Sequence, residues 1–320
     1  MLNHKKVNIF LLIIGIIIFI FLPHFVSGYW VRVITTIFMY AVISQGINLM
    51  SGYMGYLPFG NAMFFGVGAY ITAIGMSKGL SFLAVLPLAA LTAILVSILF
   101  GLPVLRLRGH YFAIATIGMS GALLSVVQNA TEITGGAMGT TLPIIDKSPE
   151  VTYNYFYLAM LALMVITTLT IYLIIKSKFG FGIRSIKANE EAANSMGINT
   201  TYHKVIAWAI SALFTSIAGA LYAYWMSFIG PDEVFDIMIA VNTIVIMLIG
   251  GAGSILGPII GAFVISLLSE VVWSTFLEYH LAVLGITIII IVFFVPKGIT
   301  GTIADFVKKR ELRLRKKVSV

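Results

Sequence analysis

About ten stretches of this chain run for some 20 residues with hardly a charge among them, the length a helix needs to cross about 30 Å of hydrocarbon. They lie near 8–26, 31–50, 57–76, 82–102, 110–128, 155–175, 204–228, 237–251, 257–276 and 281–296. Of the 320 residues 60% are hydrophobic and only 10% are charged, against about 25% charged in a soluble domain. Too few polar side chains remain to coat a globule of this size, so a water-soluble fold is excluded. The expected architecture is an all-α, polytopic integral membrane helix bundle of about ten transmembrane helices. The eighth stretch is short and runs into Gly250-Gly251-Ala252-Gly253, where a broken or tilted helix is expected. Lys5 and Lys6 precede the first stretch as in a signal peptide, but no A-x-A-like cleavage site follows, and an uncleaved anchor is expected.

Positive charge orients such a bundle. With ten spans and a cytoplasmic N-terminus, all of the 20 lysines and arginines but Arg32, Lys78 and Lys147 fall inside, so both termini are expected in the cytoplasm. The acids go the other way: Glu132, Asp146, Glu150, Asp232, Glu233, Asp236 and Glu278 lie in or beside outer loops. They either fill loops from which bases are excluded or form a rim for an external partner with a basic surface. Residues 1–306 read as one membrane domain and 307–320 as a basic tail, in which Lys308 to Lys317 suit lipid headgroups. Nothing accompanies that tail that would bind nucleic acid.

Cysteine is absent, which removes disulfides, thiolate metal sites and cysteine nucleophiles together. No H-E-x-x-H, G-x-S-x-G or G-x-x-x-x-G-K-[ST] pattern occurs either, so no metal, cofactor or catalytic residue is expected. Glu270 is the carboxylate that enters a span. It is a candidate for a translocation path, with a hydrogen-bonded residue near the outer interface as the alternative. Neutral polar residues join it as path candidates: Gln45, Asn48, Asn61, Asn242 and Thr243, beside Ser44, Gln128 and Asn129. In lipid such groups face protein or water, and as a set they suit a polar, net-neutral solute better than a bare ion. Small residues recur every fourth position, in Gly253, Gly257 and Gly261, in Ala62 and Gly66, and in Ser211, Thr215, Gly219 and Ala223. They are expected to let helix backbones approach closely.

The longest connection on the basic side, 176–203, holds Asn189 as an N-cap, Glu190 and Glu191 in a first turn, and Gly197 as a stop. The spacing predicts a helix of two turns, whose Ala192, Ala193 and Met196 offer a small apolar side to a groove on another protein. The alternative is an ordinary solvated surface helix.

Glu191-Ala192-Ala193-x-x-x-Gly197 is similar to the EAA motif of ABC-importer permeases. The wider chain, over about 30–305, resembles the permease subunits of branched-chain amino-acid ABC importers. That resemblance rests on Ser51-Gly52-Tyr53-Met54-Gly55 followed by Phe59-Gly60-Asn61-Ala62, and on Leu107-Arg108-Gly109-His110-Tyr111. It continues in Thr134-Gly135-Gly136-Ala137-Met138-Gly139, Ala218-Gly219-Ala220-Leu221-Tyr222-Ala223, Gly250-Gly251-Ala252-Gly253-Ser254 and Phe294-Val295-Pro296-Lys297-Gly298. The resemblance implies a multi-pass subunit of the bacterial cytoplasmic membrane, itself no enzyme. It implies three kinds of protein partner: ABC ATPase subunits that Glu190, Glu191, Ala192, Ala193 and Gly197 would engage, a second permease chain (paralogue or copy), and an extracytoplasmic solute-binding protein. Permeases for urea and short amides share much of this pattern. A stand-alone secondary transporter is the rival of a different class.

Overall fold

The computed structural model describes residues 14–143 and 148–275, together with 282, 285–286, 289, 298–303 and 305–306. Among the described residues seven helical segments are long and apolar enough to cross a membrane. They coincide with the second to eighth of the expected spans, and the protein is a polytopic membrane helix bundle. Of the first expected span the structure describes a shorter apolar helix, α1 (Ile14–His24); for the ninth it gives α13 (Gly257–Thr275). Most of the tenth, 281–296, and the basic tail lie outside the described residues.

The order is α1, α2 (Gly28–Met50), α3 (Ala62–Ser77), α4 (Phe82–Val104), α5 (Gly109–Asn129), a single turn α6 (Thr131–Thr134) and α7 (Pro149–Lys176). Then come α8 (Lys178–Ala188), α9 (Glu190–Ser195), α10 (Thr200–Met226), a single turn α11 (Pro231–Val234), α12 (Ile237–Gly250) and α13. One small antiparallel pair, β1 (Thr140–Thr141) with β2 (Phe228–Ile229), ties two connections together in the register Thr140↔Ile229. Helices α2 and α7 start at the same end, where Tyr153 meets Gly28 and Arg32, and α10 finishes there beside them, so the bundle has two ends. The loop end carries α8, α9 and the connections after α2 and α4. The far end carries the start of α2 and the last turns of α10 and α13.

Burial separates centre from rim. The most apolar window of α2 is 78% buried and that of α10 is 67% buried, against 28% for α4 and 22% for α5. A helix apolar on all sides in a chain like this either sits in the core or faces lipid, and both kinds are present. The outward side of α4 shows Leu83, Leu91, Leu95 and Leu99. The centre is held by contact so close that side chains would obstruct it. A Cβ on Gly219 would enter the Phe65 backbone, and one on Gly68 would enter that of Ser216, so α3 and α10 touch main chain to main chain. Gly257 and Gly261 do the same for α13 against Gly250 and Ile246 of α12, while Gly66 receives the Phe235 ring. Gly253 differs from that row, because it lies in the turn before α13 at φ +78°. In the eighth span α12 runs unbroken from Ile237 to Gly250, ended by Gly251 at φ +120°, and the turn α11 before it is set off at Phe235 and Asp236.

Candidate functional site

At the loop end α7 stops at Lys176 and α8 starts two residues later, capped by Ser177, whose hydroxyl accepts from the Gly180 amide. Read from sequence as plain connection, this stretch is instead an amphipathic helix that buries Ile183 and Ile186. Asn189 then caps α9 as expected, accepting from the Ala192 amide at 3.0 Å. The helix closes with the Ile198 amide donating to the Ala193 carbonyl at 3.0 Å and Gly197 left-handed at φ +85°. This is the glycine-terminated helix stop, and any side chain at Gly197 is strained there although nothing lies within 4 Å.

The two acids of α9 have different surroundings. The Glu190 side chain is only 13% exposed, and the Lys204 ammonium, 5% exposed, sits 2.8 Å from it. Tyr56 donates to the same carboxylate at 2.5 Å, and Arg108 lies 3.4 Å away. Lys204 also donates to the Leu105 carbonyl at 2.6 Å. One buried ion pair therefore joins α9, the first turn of α10, the segment after α2 and the connection after α4. Burial pushes the Glu190 carboxyl up, but Lys204, Tyr56 and Arg108 outweigh it, and its pKa falls below the ordinary value. Burial, followed by the Glu190 carboxylate, pushes the Tyr56 hydroxyl well up. Lys187 adds a second tie, donating to the Gly52 carbonyl at 2.5 Å.

Glu191 points outward, 78% exposed, and meets the Arg108 guanidinium at 2.9 Å. Ala192 and Met196 are exposed beside it, whereas Ala193 is buried against the chain's own bundle. The apolar side expected of this helix is thus divided: Ala193 holds the helix down, and Glu191, Ala192 and Met196 remain open. Sequence reasoning counted Lys204 only as one more basic residue, although its place at the start of a span was a sign of burial.

The polar residues of the spans fall into two groups. Asn48 donates to the Ser254 carbonyl and accepts from the Gly253 amide, both at 2.8 Å, and so holds the turn before α13. Asn61 donates to Thr215 at 3.1 Å and accepts from Ser211 at 3.3 Å. Thr243 bonds within α12, and its carbonyl accepts from Ser44. Gln45 donates to the Ile255 carbonyl at 2.7 Å, while its own carbonyl oxygen is buried and has no partner among the described residues.

The second group lines a cleft of about 500 Å³ toward the far end, between α2, α7, α10, α12 and α13. Asn242 and Glu270 both face it, and the structure adds Arg32, Tyr40, Ser266 and Ser269. Tyr29 donates to Glu270, and Arg32 stands over the Tyr153 ring at 5.3 Å. Arg32 drew notice in the sequence only as one of three bases off the basic side. Among the described residues no cluster of histidine and acid side chains could hold a metal ion.

A many-helix membrane bundle with a polar cleft in one half and a short charged helix mounted on the opposite end defines a transport subunit. The chain belongs to the family described as "Branched-chain amino acid transport system / permease component", whose model matches residues 29–292. It is 30% identical to the high-affinity branched-chain amino acid transport system permease protein LivM of Salmonella typhimurium (strain LT2), over 87% of this chain and 71% of that protein. LivM of Escherichia coli (strain K12) is 29% identical with the same coverage. The permease protein BraD of Pseudomonas aeruginosa (strain PAO1) is 25% identical over 82% of this chain and 91% of its own length. No solved structure matches the chain.

Proposed function

We propose that this permease carries branched-chain amino acids across a bacterial cytoplasmic membrane, driven by ATPase subunits that dock on α9. The loop end faces the cytoplasm in this reading, with ten spans and both termini inside, because nearly all the positive charge then lies on that side. The outer face receives a solute-binding protein, and a second permease chain completes the pathway. The observation that carries the docking role is the divided surface of α9. Glu190 and Ala193 bind it to the bundle, while Glu191, Ala192 and Met196 stay open. A helix that is both open and rigidly seated passes a push from its partner into the bundle rather than swinging aside. ATP binding would then move α9 together with α10 and the segment after α2, tipping the bundle between two states.

Gly197→Asp and Glu191→Lys test this reading. Both positions are exposed, so each variant is expected to insert and fold, and to lose ATPase co-purification and leucine uptake together. Full ATPase recovery with normal uptake would show that another element receives the ATPase. Uptake of urea in place of leucine by the wild-type assembly would move the solute class. Solute entry with this chain alone, without ATPase, would make it a stand-alone transporter.

A further inference from the structure

We propose that the far-end cleft is a binding site for a group carrying one anion and one cation, with Arg32 taking the anion and Glu270 the cation. It rests on the permease reading for what that group is: the carboxylate and ammonium of a free α-amino acid.

Arg32 and Glu270 line the same cleft from α2 and α13, yet among the described residues neither has an ion-pair partner. Glu270 receives a hydrogen bond from Tyr29, which leaves most of its acceptor capacity open. Among the described residues Arg32 keeps its fork of donors free, with the Tyr153 ring beneath it. Two unlike charges held apart on one cleft select their ligand by sign. A bare cation meets Glu270 and is repelled by Arg32, a bare anion the reverse, and a zwitterion satisfies both at once. Arg32 is exposed and Glu270 half-buried at the cleft, so a net-neutral ligand with both charges satisfies both groups and leaves no net charge behind. The remaining lining fits the rest of such a molecule. Asn242 and Ser269 supply neutral hydrogen-bonding groups, and Ile246, Ile265 and Trp225 supply apolar surface for an aliphatic side chain. A volume of about 500 Å³ is within the usual range for a small-molecule site.

The same chemistry exists in the headgroup of phosphatidylethanolamine, and the test separates the two sources. Because the chain has no cysteine, Ser266→Cys places a single thiol in the cleft. The probe is its modification rate by a small methanethiosulfonate in the permease–ATPase–binding-protein assembly, in vesicles of phosphatidylcholine and phosphatidylglycerol. Leucine is expected to slow modification by about tenfold, whereas leucinamide and 4-methylpentanoate, each lacking one charge, leave it unchanged. Arg32→Gln or Glu270→Gln on this background should abolish protection while ATPase co-purification persists. Protection by leucinamide equal to that by leucine, or none by leucine, overturns the site. So does protection that appears only when phosphatidylethanolamine is added and ignores leucine. Uptake is scored separately: an assembly that takes up no leucine overturns the permease reading, while thiol protection still decides the cleft.

Discussion

The two ends of this bundle treat charge in opposite ways. At the loop end Glu190 and Lys204 are both withdrawn from solvent and satisfied inside the chain, by each other, by Tyr56 and by the Leu105 carbonyl. At the far end Arg32 and Glu270 share a cleft without pairing. A paired charge fixes geometry, and an unpaired one waits for something else to pair with. On the proposals made above, one end then has a mechanical task and the other a recognition task, within a single small chain.

The sharpest way to break that comparison is Lys204→Met. It strands Glu190 with one of its partners removed, and breaking a buried pair from one side costs about 3 kcal/mol or more. The expected result is a clear fall in the melting temperature of the detergent-solubilised permease, with loss of ATPase co-purification although residue 204 itself is buried. The double variant Lys204→Met with Glu190→Leu should recover much of the stability. Unchanged melting in the single variant would mean that the loop end is not held by this pair.

A smaller effect comes from protonating Glu190 alone. Its pKa is lowered in the folded chain, so the stability it lends is complete above the unfolded value of about 4.3 and is lost as pH falls through the folded value. A fluorophore on Met196→Cys reports the seating of α9 through its anisotropy. The signal is expected to stay flat from pH 8 to about pH 5 and to fall only below about pH 4. Loosening that sets in already above pH 5 instead would show that the Glu190 carboxylate does not hold the seating of α9.

What could be read from sequence, and what could not, follows the same division. Hydrocarbon thickness forces long apolar runs, so the seven spans stood out without any knowledge of their neighbours. The cap at Asn189 and the stop at Gly197 were legible because both are local to a few residues. The role of Glu190 was not legible: Tyr56 is 134 positions away along the chain, and only the packing of α2, α10 and the loop brings them together. Asn48 and Asn61 looked like Asn242 in composition, and only the fold shows the first two spent on neighbouring segments while the third faces a cleft. Helix α8 was hidden for another reason. It follows α7 after one residue, and with two glycines among its eleven residues it carried no strong helix signal.

The smallest expected stability effect sharpens the comparison from the other side. Arg32→Gln removes a cation that makes no ion pair among the described residues, and its only ring contact is the Tyr153 face. Glutamine retains much of the aliphatic stem, and it strands no partner, because Glu270 is bonded to Tyr29 instead. The melting temperature should therefore match wild type to within the equivalent of about 0.5 kcal/mol, as for an ordinary surface change. Set beside Lys204→Met, that gives two lost cations with opposite outcomes in the same melting experiment. A large loss from Arg32→Gln would show that the far-end charge is structural, and the contrast between the two ends would then be one of degree.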